Sequence, residues 1–342
     1  MNLVSGATGF LGAHLVCTLL HHGEAVRACK RVSSSLKEFN FIFEHYFTSV
    51  LVQTEKRNLL TWVEADINDV SSLQVAMKDI HTVYHCAALV SFVASDRDRL
   101  MKINVEGTAN MVNAALAAKV PVFCYASSVA ALGRKKQGDV IDESAKWEES
   151  KYNSNYAISK YKAELEVWRG AEEGLKVCMV NPGVILGLGD YKKGSNAMVH
   201  TVYKGLPLYS MGVNGYVNVK DVARAMHQLV QQQIFGKRFV MVAESCQIRE
   251  LFFMLADGFG VKRPFIKVTP FMAEIAWRIM YVVALFKSDA LPITKETARA
   301  ANYVSRYDAA RIKKELNFEF ISIPATVTEC CQTYQQFINY TI

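Results

Sequence analysis

Strand-like and helix-like stretches alternate along the first half of the chain, and this alternation restricts the possible folds most. Short apolar runs predict strands, whereas apolar residues that recur every three or four positions predict helices. Strands that alternate with helices imply crossover connections, and therefore a parallel sheet covered by helices on both faces. The predicted fold class is α/β with a doubly wound parallel sheet. The predicted strands are Leu3 to Ser5, Glu24 to Cys29, Thr61 to Glu64, Thr82 to Cys86, Val120 to Ala126 and Lys176 to Val180, and the predicted helices are Phe10 to His22, Ser71 to Lys78, Arg97 to Lys119 and Asn155 to Glu173.

The pattern changes after Asn181-Pro182-Gly183, where several glycines interrupt the short elements. We predict one lobe of residues 1–182 plus about 216–239, to which a helix from Val219 to Gln233 returns. A smaller, mostly helical lobe of residues 183–215 and 240–342 follows. The helices predicted in the smaller lobe are Ile248 to Phe259, Pro270 to Phe286, Lys295 to Tyr303, Asp308 to Leu316 and Ile323 to Asn339.

Composition excludes several classes of protein. With 51% hydrophobic and 21% charged residues, the chain is neither disordered nor fibrous. Residues 1–150 hold 15 Lys and Arg against 16 Asp and Glu, so the net charge of +7 arises in the second half. No basic cluster is interleaved with aromatic residues, and the run Arg134-Lys135-Lys136 is isolated, so no nucleic-acid partner is predicted.

The cysteines and the apolar segments indicate the cellular compartment of the protein. Eight cysteines without a CxxC pair, and a first strand at the very N-terminus, predict reduced thiols in a cytoplasmic protein without a signal peptide. The apolar stretch Phe271 to Phe286 contains Glu274 and Arg278 and is shorter than the ~20 residues of a membrane span. We predict an amphipathic helix there, no membrane partner and no metal.

A glycine-rich turn, Gly6-Ala7-Thr8-Gly9-Phe10-Leu11-Gly12, joins the first strand to the first helix. Such a turn sets backbone N–H groups and the positive helix end beside an anion, and glycines let a pyrophosphate approach the backbone closely. The alternative is a tight turn in which glycine only packs helix against strand. The context of strand, turn and helix favours dinucleotide phosphate binding.

The end of the second strand indicates which dinucleotide binds. A carboxylate at that place would hold the ribose 2′-hydroxyl of NAD, but this chain has Lys30 and Arg31, followed by three serines. Two cations suit a 2′-phosphate. NADP(H) is therefore the predicted cofactor, with NAD(H) as the second choice and a solvated surface pair as the non-functional alternative.

Tyr156 and Lys160 stand four residues apart on a predicted helix, so both lie on one helix face. An ammonium near a phenol favours the ionised form, which suits proton transfer with a carbonyl or alcohol oxygen. Ser127 and Ser128 follow a predicted strand at the carboxyl edge of the sheet, where a hydroxyl could orient the reacting oxygen. A helix cap is the alternative for either serine.

These pieces occur in the order and spacing of one family. The chain resembles the extended short-chain dehydrogenase/reductases over nearly its whole length, and within them the dihydroflavonol 4-reductase-like branch, through Val26 to Arg31 and Asn181 to Asp190. The resemblance implies a Rossmann fold and an NAD(P)-dependent oxidoreductase. It is carried by Gly6 to Gly12, Asp66-Ile67, His85 to Ala88, Asn104 to Thr108, Ser127-Ser128, Tyr156 to Lys160, Asn181-Pro182-Gly183 and Val219 to Ala223.

The resemblance also implies roles for individual residues. Ser128 would orient the reacting oxygen, Tyr156 would transfer the proton, and Lys160 would tune Tyr156 and hold the nicotinamide ribose. Asn104 would fasten the helix beneath the site. The cofactor residues would be Gly6, Thr8, Gly9, Phe10, Leu11 and Gly12 at the pyrophosphate, Lys30 and Arg31 at the 2′-phosphate, Asp66 and Ile67 at the adenine, Ala87 and Ala88 at the ribose, and Pro182 at the nicotinamide.

The predicted function is the NADPH-dependent reduction of a small-molecule ketone or aldehyde to an alcohol, which is reversible. One alternative is a nucleotide-sugar epimerase or dehydratase that uses NAD(P) transiently, and the lesser one is a regulator that binds NADP(H) without catalysis. A homodimer is possible, because family members pair through the helices that hold Asn104 and Tyr156. The predicted substrate contacts are mostly apolar or aromatic: Phe92, Leu132, Tyr152, Ile185, Tyr191, Met198 and Tyr209.

Overall fold

A computed structural model describes residues 1–133, 138–150, 153–284 and 302–341. Its strands are β1 (Asn2–Ser5), β2 (Val26–Lys30), β3 (Leu60–Glu64), β4 (Thr82–His85), β5 (Val122–Ala126), β6 (Val140–Ile141), β7 (Lys176–Pro182), β8 (Val184–Leu186), β9 (Leu208–Tyr209), β10 (Val213–Asn218), β11 (Lys237–Met241), β12 (Glu244–Gln247), β13 (Ile266–Lys267) and β14 (Arg306–Tyr307). Its helices are α1 (Phe10–His21), α2 (Lys37–Tyr46), α3 (Val50–Asn58), α4 (Val70–Ala76), α5 (Arg97–Leu100), α6 (Gly107–Ala117), α7 (Asn155–Glu172), α8 (Ala197–Tyr203), α9 (Val219–Gln231), α10 (Ile248–Phe259), α11 (Pro270–Ala284), α12 (Ala310–Leu316) and α13 (Ile323–Thr341).

A seven-stranded parallel sheet forms the centre of the fold, in the order β11-β7-β5-β4-β1-β2-β3. In the central strands, alternate residues enter one of two apolar clusters, one on each face of the sheet. Val4 and Ala28 belong to one cluster, and Leu3 and Phe123 to the other. The predicted doubly wound α/β fold is confirmed, and the strand order reverses between β1 and β4, where such sheets bind ligands.

Two helices were not predicted from the sequence. No element was predicted between the second and third strands, but α2 and α3 occupy much of the chain between β2 and β3. Phe39, Ile42 and Phe43 are buried on one side of α2, and they follow the helical spacing of three to four residues. The apolar repeat was therefore present, although the polar residues around it concealed it.

The helix predicted from Arg97 to Lys119 corresponds to a continuous helical stretch from Arg97 to Ala117, but its middle is not α-helical. Between α5 and α6 the chain forms a π-helical segment over Met101–Glu106, which contains the buried Asn104. Wide turns of this kind occur within helices at functional sites. They realign the side chains that follow without leaving a clear pattern in the sequence.

The later half contains small sheets and helices. Strands β8, β10 and β12 form a three-stranded sheet, and α10 packs against α13. The predicted helix from Val219 corresponds to α9, which packs against α1 of the first half. At that contact His227 Nε2 lies 2.7 Å from Glu24 Oε1, and the His22 and His227 rings stack at 4.3 Å.

Some predictions concern residues outside the described ranges. These are Tyr152, the run Arg134 to Lys136, the last two residues of the predicted helix Pro270 to Phe286, and most of the predicted helix Lys295 to Tyr303. Within the described ranges, no helix is both long enough and apolar enough to cross a membrane. The eight cysteines all lie in those ranges and are free thiols.

Candidate active site

The glycine-rich turn is so tight that two of its glycines cannot be replaced. Gly6 has a φ of 67°, and a Cβ there would lie 2.7 Å from the Ala87 nitrogen. A Cβ on Gly12 would lie 2.1 Å from the Gly6 oxygen. The Gly9 position is more open, because its nearest contact is the Gly6 oxygen at 3.4 Å. This opening at the N-terminus of α1 fits the approach of a dinucleotide diphosphate to backbone N–H groups.

Two cations stand at the end of β2. Lys30 is half-buried, and its Nζ lies 4.0 Å from Glu64 Oε1 at the end of β3. Arg31 is exposed, and its backbone N–H donates to Ser34 Oγ at 3.0 Å. Within the described part of the chain, the Arg31 guanidinium has no ion-pair partner. Arg31 is therefore the cation more readily available to an added phosphate.

The other residues predicted to hold the cofactor occupy the loops between these elements and the ends of the strands. Asp66 Oδ1 accepts from the Asn68 backbone N–H at 2.9 Å, and the side chain of Ile67 lies against Gly107. Ala87 donates its N–H to Ser5 Oγ at 3.2 Å, and Pro182 is buried at the end of β7. Thr8, Phe10 and Leu11 are half-buried, and Ala88 is exposed.

The two serines after β5 point to different partners. Ser127 is buried and donates from Oγ to Glu164 Oε1 at 2.5 Å. Ser128 Oγ accepts from the Ala130 backbone N–H at 3.2 Å, and the Ser128 hydroxyl lies near enough to the Tyr156 phenol to lower its pKa. Ser128 is thus the serine that the structure brings together with Tyr156, and it also caps a short 3₁₀ turn.

Tyr156 lies in the first turn of α7. The Oγ of Ser154 accepts from the Ala157 N–H at 3.0 Å and caps that helix. The half-exposed ring of Phe92 meets the Tyr156 ring edge to face, with centroids 5.7 Å apart. Burial raises the pKa of Tyr156, and the hydrogen bond from Ser128 partly opposes this rise. This direction is opposite to the one predicted from the spacing of Tyr156 and Lys160.

The position of Lys160 explains why the pKa of Tyr156 does not shift in the predicted direction. Its side chain is 1% exposed, and Nζ donates to Tyr125 Oη at 2.6 Å and to the Ala126 carbonyl at 2.9 Å. Burial lowers the pKa of Lys160 to about 7, although the charge of Glu164 opposes this shift. The ammonium is thus bound to oxygens of β5. The predicted effect, in which Lys160 lowers the pKa of the Tyr156 phenol, is therefore not the cause of the Tyr156 shift.

A buried polar network behind the serines was not predicted. Glu164 Oε1 accepts from Asn181 Nδ2 at 2.5 Å, and Glu164 Oε2 lies 2.9 Å from Arg238 Nη1. Asn181 Nδ2 also donates to the Ser128 carbonyl at 2.9 Å. The available signal was the spacing of Glu164, which stands one helical turn after Lys160 on the same face of α7.

Asn104 joins the loop after β4 to α7. Its Oδ1 accepts from the Leu89 N–H at 2.7 Å, and its Nδ2 donates to the Leu89 carbonyl and to Ser159 Oγ, both at 2.9 Å. All the amide atoms of this buried side chain are thereby used in fastening protein elements.

The predicted substrate contacts divide into two groups. Leu132 and Tyr191 belong to the core, since they are 1% and 0% exposed, and Tyr191 hydrogen-bonds Thr333 at 2.6 Å. Packing in the core is the alternative to substrate contact for such apolar residues, and it accounts for the burial of both. Phe92 is half-exposed beside Tyr156, whereas Ile185, Met198 and Tyr209 are partly buried.

The parallel sheet and the open glycine turn at its switch point are the arrangement of a dinucleotide-binding α/β protein, and Ser128 and Tyr156 lie at the same edge of the sheet. Residues 2–241 match the NAD dependent epimerase/dehydratase family, and the chain belongs to that family. The predicted membership of the extended short-chain dehydrogenase/reductases is confirmed, and so is the prediction of an NAD(P)-dependent enzyme.

Individual relatives agree with this classification. The chain is 30% identical to a putative dihydroflavonol 4-reductase of Synechocystis sp., covering 97% of this chain and 94% of that protein. It is 32% identical to cinnamoyl-CoA reductase 1 of Petunia hybrida, covering 71% of this chain and 72% of that protein. The crystal structure of gox2253 superposes with a TM-score of 0.80, at 28% identity and with 98% of both chains covered.

Proposed function

We propose that the chain reduces a ketone or aldehyde with NADPH, and that the reaction is reversible. The observation that carries this proposal is the neighbouring position of Ser128 and Tyr156 at the carboxyl edge of the sheet, with the buried Lys160 one helical turn after Tyr156. A hydroxyl and a phenol at that edge suit a carbonyl oxygen that must be held and then protonated. The reductase names of the relatives point to the same chemistry.

Each side chain has a separate task in this proposal. Ser128 donates a hydrogen bond that orients the carbonyl oxygen, and Tyr156 gives its phenolic proton to the same oxygen. A bound reduced nicotinamide supplies the hydride for the carbonyl carbon. The third N–H of Lys160 would be available to the nicotinamide ribose. Binding would involve Gly6, Thr8, Gly9, Phe10, Leu11, Gly12, Asp66, Ile67, Ala87, Ala88, Tyr156, Lys160 and Pro182.

The proposed preference for NADPH rests on Lys30 and Arg31. A carboxylate in their place would repel a 2′-phosphate, whereas a guanidinium binds it through charge-assisted hydrogen bonds. Arg31 is exposed and has no ion-pair partner in the described chain, so it can turn to the phosphate without breaking another contact. Lys30 must be shared with Glu64. We assign the main contact to Arg31.

We propose separate binding roles for the two predicted lobes. Residues 1–182 with about 216–239 would bind the cofactor, and residues 183–215 and 240–342 would bind the substrate. Phe92, which lies against Tyr156, would contribute an apolar surface from the first lobe. A small molecule with an apolar part next to its carbonyl group is the expected substrate.

Thermal shift with NAD, NADH, NADP and NADPH tests the cofactor, and a panel of carbonyl compounds with the preferred cofactor tests the reaction. We expect stabilisation by NADP(H), followed by turnover that Tyr156→Phe abolishes while NADPH binding remains measurable. Near wild-type turnover by that variant would refute the mechanism. Tightly bound NAD in the purified protein would indicate an epimerase, and NADPH binding without turnover of any carbonyl would indicate a regulator.

A further inference from the structure

A chain of buried polar side chains connects the glycine turn to Lys160. Ser5 Oγ lies 2.7 Å from His85 Nδ1, and His85 Nε2 lies 3.0 Å from Thr108 Oγ1. Thr108 lies near the phenol of Tyr125 and opposes the rise in its pKa, and the Tyr125 oxygen is 2.6 Å from Lys160 Nζ. The exposed fraction of each of these five side chains is 1% or less. Buried polar groups bonded in this way hold one another in a single arrangement.

The first end of this chain lies directly beneath the proposed cofactor site. Ser5 precedes Gly6, and Ser5 Oγ accepts from the backbone N–H groups of Cys86 and Ala87 at 3.2 Å each. Ala87 is also the residue against which Gly6 packs. The Ser5 hydroxyl therefore ties the glycine turn to the loop after β4, and His85 extends this tie toward α6 and β5.

The other end holds the ammonium. An ammonium has three N–H donors, and two of them are bound to Tyr125 Oη and to the Ala126 carbonyl. Because an ammonium only donates, the Tyr125 phenol oxygen accepts the Lys160 N–H through a lone pair. The Lys160 nitrogen also lies over the Tyr125 ring, 4.3 Å from its centroid.

We propose that Tyr125 is a positioning residue for Lys160: its phenol oxygen, next to the buried chain of Ser5, His85 and Thr108, binds one N–H of the ammonium and leaves a single N–H for a ligand. The proposal extends the function given above, on which its kinetic part rests. It explains why a tyrosine occupies a buried position of β5 where a phenylalanine would fill the same space.

Several titratable groups face this ammonium and influence its charge. Glu164 stands on the same helix, Cys86 lies at the end of β4, and the His85 ring stacks on Tyr125 at 5.4 Å. Burial lowers the pKa of His85 to about 3, so this imidazole is neutral near pH 7. Glu164 favours the charged ammonium, and the hydrogen bond to Tyr125 acts in the same direction.

The test compares Tyr125→Phe with Tyr84→Phe. Tyr84 is a fully buried tyrosine on the neighbouring strand β4, and its hydroxyl has no hydrogen-bond partner in the described chain. Both variants lose one buried hydroxyl and keep the ring, but only Tyr125→Phe removes an acceptor of Lys160. We would label lysine with ¹³C at Cε, assign Lys160 by its loss in Lys160→Met, and titrate the protein without cofactor.

The expected result is that the pKa of Lys160 falls by about one pH unit in Tyr125→Phe and does not change in Tyr84→Phe. An unchanged titration in Tyr125→Phe, or an equal shift in Tyr84→Phe, would overturn the proposal. If Tyr125→Phe does not fold, Thr108→Val replaces it. A shift in the same direction is expected there, and an unchanged titration in Thr108→Val would also overturn the proposal.

Kinetics provide the second readout. The high-pH limb of kcat for carbonyl reduction should move to lower pH in Tyr125→Phe, with Tyr84→Phe as the control. Because the titration needs neither cofactor nor substrate, its result judges the role of Tyr125 even if Tyr156→Phe shows that the proposed reduction is wrong. A limb that stays in place while the Lys160 titration shifts would refute the link between this position and catalysis.

Discussion

Glu164 and Arg238 form an ion pair behind the two serines of the candidate site, with 2.9 Å between Oε2 and Nη1. The Glu164 side chain is 1% exposed, and its other oxygen accepts from Ser127 and Asn181. Arg238 also donates to the backbone carbonyls of Glu143 and Ala145. The pair therefore joins α7, β5, β7 and β11 beneath Ser128. Through Asn181, which donates to both Glu164 and the Ser128 carbonyl, it also helps to position that carbonyl.

Glu164→Gln should destabilise the protein strongly. The amide can still accept from Ser127 and Asn181, but it leaves the Arg238 charge without its carboxylate, and breaking a buried pair from one side costs roughly 3 kcal/mol or more. Chemical denaturation measures the loss of unfolding free energy. Glu166→Gln is the control, because Glu166 pairs with Arg169 at the surface of the same helix and its loss should cost under ~1 kcal/mol. Equal losses in both variants would contradict the role given to the buried pair.

The two serines should differ in their effects on rate and stability. Ser128→Ala removes the hydroxyl next to the Tyr156 phenol and should lower kcat by about 10²- to 10³-fold, as removal of an oxyanion donor does. Ser127→Ala removes the bond to Glu164 and should cost about 1 kcal/mol of stability with little change in kcat. Steady-state kinetics and thermal unfolding of both variants decide the assignment. If Ser127→Ala is the slower enzyme, the serines have been assigned in the wrong order.

Cofactor choice should depend on Arg31 more than on Lys30. Arg31→Ala should raise KM for NADPH by roughly 10- to 100-fold and leave KM for NADH unchanged, because only the phosphate contact is lost. Glu64→Gln should act in the opposite direction, since it releases Lys30 from a carboxylate 4.0 Å away. Initial rates with both dinucleotides test the pair of variants. A parallel loss with NADH in Arg31→Ala would show that this residue has a structural role instead.

The sheet could be predicted from sequence because strands buried on both faces appear as short apolar runs, and the observed β1, β4 and β7 begin within one residue of their predicted starts. The buried network around Glu164 could not be predicted from the sequence. Glu164 and Arg238 are 74 residues apart, and only the folded sheet brings them together. The same holds for Lys160: its spacing from Tyr156 predicts a shared helix face, but β5 provides the oxygens that bind the ammonium.

Lys160 should make the stability of the protein depend on pH. Burial lowers the pKa of Lys160 from 10.5 to about 7 in the folded state, so between these values the unfolded chain binds a proton that the folded protein lacks. The unfolding free energy should therefore rise with pH across this window, by at most ~1.4 kcal/mol per pH unit. Below about pH 7 Lys160 is charged in the folded protein as well, and the full cost of burying that charge applies.

Lys160→Met should remove that slope and should be more stable than the wild type near pH 7, because it no longer buries an ammonium. The control is Lys162→Met, which replaces an exposed lysine on the same helix and should keep the wild-type slope. Unfolding free energies at several pH values from 6 to 9 provide the comparison, and all other titrating groups cancel in the differences. If Lys160→Met keeps the wild-type slope, burial of the Lys160 charge does not lower the unfolding free energy. Solvent or a nearby carboxylate would then compensate that charge fully.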